Sequence, residues 1–223
     1  MRPLGREFIR LLAREIPFPE PIVELGSYGV DGQEDLSDLR GFFPGKTYIG
    51  CDLRPGPGVD RVEDIEALTF EADSVGSLIS VDALEHVKRP WKAAAEAHRV
   101  LAPGGTGVFL TCLNFKIHHH PDDYWRFTPS AMDLLFADFP YRLIGSQGAP
   151  DFPHTVFAIV YKDPPADGID TVVSRLRDVL TDECRLPVPA GRRLKWKLGE
   201  LLLSRRLFRR LRESQDVRIE RTS

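Results

Sequence analysis

An apolar run ending in an acid, a glycine-spaced turn, and a second apolar run ending in another acid constrain this chain more than any other feature. They are Pro21-Ile-Val-Glu-Leu-Gly-Ser-Tyr-Gly-Val-Asp-Gly32 and Tyr48-Ile-Gly-Cys-Asp52. That order belongs to the first two strands of a doubly wound α/β sheet. The glycines let backbone approach a nucleotide-type ligand closely, and an acid ending the next strand accepts both ribose hydroxyls.

The glycine spacing separates the ligands such a turn can hold. A dinucleotide fingerprint needs G-x-G-x-x-G running into a helix that carries the pyrophosphate. Here the glycines are Gly26, Gly29 and Gly32, and Tyr28 stands where the middle glycine would be. Glu24 repels phosphate and suits a cation. S-adenosylmethionine fits these features, because it has ribose and adenine, no phosphate, and both a sulfonium and an ammonium. A nicotinamide-dependent oxidoreductase is disfavoured on the same grounds.

At these residues the chain resembles the class I S-adenosylmethionine-dependent methyltransferases, over roughly residues 20 to 162. Glu-Leu-Gly-Ser-Tyr-Gly resembles their first motif, Cys51-Asp52 the acidic end of strand two, and Val62-Glu-Asp-Ile65 the adenine-flanking turn. Ser80-Val-Asp-Ala-Leu-Glu-His-Val87 and Arg99-Val-Leu-Ala-Pro-Gly-Gly105 resemble the strand-four motif and the turn before strand five of the branch called methyltransferase type 11. The departure lies in the first motif, where Tyr28 and Val30 replace glycines and Asp31-Gly32 forms a later turn. The resemblance implies a Rossmann-like, mostly parallel, seven-stranded sheet with helices on both faces. It also implies a cofactor-binding set of Glu24, Gly26, Ser27, Tyr28, Asp52, Leu53, Asp64, Ile65 and Val81. Glu24 would face the methionine side, and Asp64 with Ile65 would flank the adenine.

Periodicity predicts strands near 21–27, 47–53, 59–63, 77–82, 106–112, 140–146 and 154–162, and helices near 33–42, 90–101 and 128–138. Phe8, Leu11, Leu12 and Ile16 fall at helical spacing, which makes residues 1–18 an amphipathic lead-in helix. Charges threaded through that segment exclude a signal peptide. The 223 residues suit one large α/β core, read as a methyltransferase domain over 1–163 and a helical, basic extension over 164–223. Cys51, Cys112 and Cys184 are unpatterned, so neither a disulfide framework nor a zinc cluster is expected. No apolar run reaches membrane-spanning length, and a cytoplasmic protein is expected.

Residues 191–223 hold 11 Lys/Arg and 4 Asp/Glu, a net +7 on a chain whose total is −3. A basic tail on an acidic body invites contact of 191–213 with an anionic membrane face or a protein partner. The leucines support this incompletely: Leu194, Leu198 and Leu201 form one stripe, whereas Leu203, Leu207 and Leu211 form another. Nucleic acid is not expected as a partner, because no aromatic-basic platform accompanies the charge. The Asn/Asp-Pro-Pro-Tyr/Phe tetrapeptide of nucleic-acid methyltransferases is also replaced by Asp82-Ala-Leu-Glu.

The stretch Asn114-Phe-Lys-Ile-His-His-His-Pro-Asp-Asp-Tyr-Trp-Arg-Phe-Thr-Pro129 follows strand five, at the edge where such sheets bind ligands. Three readings are open. His118, His119 or His120 is a general base for a hydroxyl acceptor, with Tyr124, Trp125 and Arg126 around the substrate. A histidine with Asp122 or Asp123 binds a divalent metal that orients a diol. Or the loop is structural, with Asp122 capping a turn, Arg126 paired to a carboxylate and Trp125 packed. His86, at the end of strand four, is either a further base or a cap of its own loop. The expected activity is methyl transfer to a small polar acceptor, O-methylation of a sugar, glycan-linked or secondary-metabolite hydroxyl, with no metal assigned. The alternative is a non-catalytic scaffold on the same fold, docking through its basic tail.

Overall fold

A computed structural model of the protein describes residues 2–29, 38–118, 122–184 and 217–222. The expected strands are present as β1 (Ile22–Leu25), β2 (Tyr48–Asp52), β3 (Arg61–Val62), β4 (Val75–Val81), β5 (Leu101–Cys112), β6 (Tyr141–Ala149) and β7 (Phe152–Tyr161). The sheet has one strand more than the seven expected, because β8 (Val217–Thr222) pairs antiparallel with β6. Val217 and Ile219 are buried while Glu220 is exposed, so this short alternation was hidden by the basic composition around it.

The eight strands run in the order β3-β2-β1-β4-β5-β7-β6-β8. Pairing is parallel from β3 through β5 and antiparallel at β5–β7, β7–β6 and β6–β8. Parallel strands with both faces covered need apolar residues throughout, and every residue of β4 is buried.

One face is covered by α1 (Pro3–Glu15) and α4 (Ile169–Asp182), the other by α2 (Pro90–Val100) and α3 (Pro129–Leu135). The predicted stripe of α1 is buried as expected, and Phe8 packs on Phe157 of β7 with ring centroids 4.6 Å apart. Burying each such side chain contributes about 2 kcal/mol. Proline fits the open first turn of α1, α2 and α3 alike. Thr128 caps α3 by accepting the Ala131 amide at 3.1 Å. The helix expected near 33–42 falls mostly outside the described residues, and its end is a single 3-10 turn at Arg40–Phe42. The leucine stripes of the basic tail also lie outside them.

Among the described residues no helix is long and apolar enough to cross a membrane. All three cysteines are buried and free.

Candidate active site

The sheet's order reverses at β1 and β4, and the chain leaves both strands at the same edge. A crevice is obligatory there, since the connections depart to opposite faces. Gly26, directly after β1, has φ +92°, and a Cβ on it would lie 2.7 Å from the Cβ of Ala83. Only glycine accepts both that conformation and that approach. The Gly26 and Ser27 amides donate to the Cys51 carbonyl at 2.8 and 3.0 Å, which ties the turn to the end of β2. Tyr28 occupies room left by another glycine, because a Cβ on Gly56 would meet its ring at 2.4 Å. Arg54 lies over that ring, 4.3 Å from the centroid.

These elements enclose a cavity of about 830 Å³, within the range of sites that hold a cofactor and a small ligand. Of the expected cofactor set, Gly26, Tyr28, Asp52, Leu53, Asp64, Ile65 and Val81 line it. Asp52 accepts the Arg54 amide on Oδ1 at 3.1 Å. Its other oxygen has no partner among the described residues. Asp64 accepts the Glu66 amide at 2.8 Å, which holds Ile65 at the tip of the turn.

Glu24 and Ser27 are not on the cavity wall. Glu24 lies under the turn, 4 % exposed, and accepts the Tyr48 hydroxyl at 2.7 Å. Burial raises its pKa to about 7, against the opposing effects of the Tyr48 hydrogen bond and of Arg40. Ser27 Oγ is buried without a hydrogen-bond partner among the described residues.

The opposite half of the cavity is made by the turn after β4 and the loop after β5. Asp82 has φ +51°, uncommon for a residue other than glycine. Arg2, preceding α1, holds it three ways: the Arg2 amide donates to Oδ2 at 2.9 Å, Nη2 to Oδ1 at 2.6 Å, and Nε to Oδ1 at 3.1 Å. The Arg2 Nη1 also donates to the His154 carbonyl and to Thr155 Oγ1, each at 3.0 Å. The 3-10 turn Leu84–His86 then carries Glu85 inward. The Thr111 hydroxyl donates to Glu85 Oε2 at 2.7 Å. Burial, then repulsion from Asp82, raises the Glu85 pKa.

His86 and His118 both line the cavity, with ring centroids 4.6 Å apart. Nδ1 of His86 is 2.6 Å from the Asp122 carbonyl, and Nδ1 of His118 is 3.1 Å from Asp123 Oδ2. Oxygen acceptors beside Nδ1 suit a proton on that nitrogen in each ring. His119 and His120 lie outside the described residues.

The substrate candidates divide. Tyr124 is on the cavity wall, its hydroxyl donating to Asp122 Oδ2 at 2.8 Å. Trp125 instead donates through Nε1 to the Val87 carbonyl at 2.9 Å. Arg126 pairs with Asp123, Nη2 to Oδ2 at 2.6 Å, and reaches the Lys116 carbonyl at 3.1 Å. That pairing holds the Asp123 carboxyl well below the usual range. Trp125 and Arg126 line a smaller neighbouring groove and fasten the loop.

Sequence reasoning missed Arg2 and left Asp82 without a role. Asp82 at least stands in the strand-four motif. Arg2 is 80 residues away, and no local pattern announces a pair at that separation.

Residues 38–109 match a protein family described as a methyltransferase domain. An uncharacterized methyltransferase of Mycobacterium marinum is 38% identical over 76 residues, which are 29% of this chain and 30% of the relative. Another, from Mycobacterium avium, is 50% identical over 42 residues, 19% of this chain and 17% of the relative. The matches thus span less than a third of either relative's length. Among solved structures, an S-adenosylmethionine-dependent methyltransferase from Aquifex aeolicus aligns with a TM-score of 0.50 at 12% identity, over 70% of this chain and 92% of that one. At that identity the likeness is one of fold.

The fold is that of the class I methyltransferases, and residues 38–109 are similar in sequence to the methyltransferase domain family.

Proposed function

We propose that the protein is an S-adenosylmethionine-dependent methyltransferase that O-methylates a small polar acceptor, a sugar, glycan-linked or secondary-metabolite hydroxyl. The observation that carries this reading is the continuity of one cavity, from the Gly26 turn and Asp52 at one end to His86 and His118 at the other.

Asp52 is the residue that would hold the ribose, Asp64 with Ile65 would flank the adenine, and the Gly26 turn would meet the methionine moiety. When bound, the cofactor supplies a methyl group already activated on sulfur. The protein's part is to align the acceptor oxygen, exclude water and receive the hydroxyl proton. The imidazole pair His86 and His118 is where that proton would be received, with His119 and His120 of the same run as further candidates. Tyr124 would bound the acceptor. Many polar groups at this end favour a hydroxylated acceptor over an apolar one. The charge of residues 191–223 supports a further contact of the tail with an anionic membrane face or a partner.

Calorimetry with S-adenosylhomocysteine on the wild type and on Asp52→Ala tests the reading. Micromolar binding weakened at least about 100-fold in the variant is expected, since a bidentate acceptor for two hydroxyls is lost. No binding by the folded wild type would overturn it and favour a scaffold.

A further inference from the structure

The buried carboxylate of Glu85 is anomalous. It is 1 % exposed, and no lysine or arginine pairs with it among the described residues. Besides its own backbone amide, its hydrogen-bond donors among the described residues are the Thr111 hydroxyl at 2.7 Å and the Cys112 thiol, a weak donor, at 3.5 Å. Asp82, close by, is compensated by Arg2 instead. A carboxylate taken out of water without a cation costs several kcal/mol unless it is neutralised or meets a positive ligand.

Two imidazoles stand beside it. One ligand atom each from Glu85, His86 and His118 lies within 4.8 Å of the others. Both rings are anchored in the way metal-binding histidines are, with Nδ1 beside an oxygen acceptor and Nε2 without a hydrogen-bond partner among the described residues. For His86 the acceptor is the Asp122 carbonyl at 2.6 Å, and for His118 it is the Lys116 carbonyl at 3.2 Å, with Asp123 Oδ2 3.1 Å away. Asp123 is fixed in turn by Arg126, so the second layer of the cluster is itself held in place. First-row cations take nitrogen and carboxylate ligands at about 2.0–2.2 Å. Drawing three donors from the observed spread onto one ion needs side-chain shifts of only about 1 Å.

From this arrangement we infer that Glu85, His86 and His118 form a divalent-cation site of the two-histidine, one-carboxylate kind, open on the cavity side. Such a donor set suits Mn²⁺, Fe²⁺, Co²⁺ or Zn²⁺ better than Mg²⁺ or Ca²⁺, which favour all-oxygen shells. Three protein ligands leave positions free, and the chemistry that fills them is a pair of neighbouring hydroxyls on the acceptor. A cation there would orient a diol and ease loss of the hydroxyl proton to water. The inference deepens the proposed function at the same site: the imidazoles would act through the ion rather than as free bases.

The test is Mn²⁺ binding to metal-stripped full-length protein, followed by electron paramagnetic resonance and by calorimetry. S-adenosylhomocysteine binding and circular dichroism are recorded on the same samples. One equivalent of Mn²⁺ is expected to bind, at least tenfold more weakly in His86→Gln and in His118→Gln, with the spectrum of the fold unchanged. His119→Gln and His120→Gln should bind Mn²⁺ as the wild type does, which separates this site from the adjacent histidine run. Should Glu85→Gln unfold, the two histidine variants still decide the matter. Absence of Mn²⁺ binding by the folded wild type overturns the inference, as does binding that His86→Gln and His118→Gln leave intact. If S-adenosylhomocysteine binds while Mn²⁺ does not, the cation site alone falls. Mn²⁺ bound without any cofactor binding would leave this site standing and remove the methyltransferase reading.

Discussion

The two halves of the cavity are built in different ways. The half proposed to hold the cofactor is made of strand ends and the turns that leave them, with Gly26, Asp52, Asp64 and Val81 placed by backbone geometry. Its glycine spacing and terminal acids are local, so they can be seen in a single sequence. The half proposed to hold the acceptor is made by side-chain pairs: Arg2 to Asp82, Thr111 to Glu85, Trp125 to the Val87 carbonyl, Arg126 to Asp123. A backbone-defined half tolerates change in its neighbours, and a half defined by side-chain pairs does not. This contrast can be broken at several points.

The sharpest is Arg2→Met. It leaves Asp82, whose side chain is 10% exposed, without its cation, and loss of one partner of such a pair costs about 3–5 kcal/mol. Chemical denaturation should show that loss, and Arg2→Met combined with Asp82→Asn should recover most of it. Asn keeps the left-handed conformation accessible, so the double variant isolates charge from backbone.

A comparable effect should appear in the cofactor half as a pH dependence. Glu24 titrates near 7 when folded rather than at the ordinary 4.5. A carboxyl that binds its proton more tightly in the folded state stabilises the fold at low pH and loses that advantage as pH rises through the folded pKa. Between about pH 4.5 and 7 the wild type should therefore lose about 3 kcal/mol from this group. Glu24→Gln should flatten that window in urea titrations at successive pH values. An unchanged slope would mean that the proton is not held at Glu24.

Gly26→Ala should cost about 2 kcal/mol, through its φ of +92° and the approach of Ala83. Because the strain falls on the turn proposed to meet the cofactor, S-adenosylhomocysteine affinity should fall at least tenfold.

The smallest effect belongs to the loop. Trp125→Phe keeps an aromatic ring against Phe127 and Trp91 but deletes the donor to the Val87 carbonyl. About 1 kcal/mol should be lost, with S-adenosylhomocysteine binding unchanged. Weakened cofactor binding would instead show that the two halves are coupled through Val87.

Much of this molecule could be anticipated. Seven strands, the lead-in helix and the helices at 90–100 and 129–135 follow from apolar periodicity and from proline and glycine punctuation, which act over a few residues. Seven of the nine expected cofactor residues reach the cavity wall for the same reason. Glu24 does not, because a residue one position from Leu25 on a strand points to the other face of the sheet. Strand β8 escaped notice because a six-residue alternation inside basic sequence carries little signal alone and becomes a strand when β6 offers an unpaired edge.

By itself the sequence determined the sheet, the switch-point crevice and the acid that closes it, since each depends on short-range pattern. Tertiary structure alone decided that Arg2 neutralises Asp82, that Glu85 has no such partner among the described residues, and that His86 and His118 meet on the wall of one cavity. These are meetings of residues tens of positions apart. Their energies come from burial and from electrostatics in a low-dielectric interior, which exist only after the chain has folded.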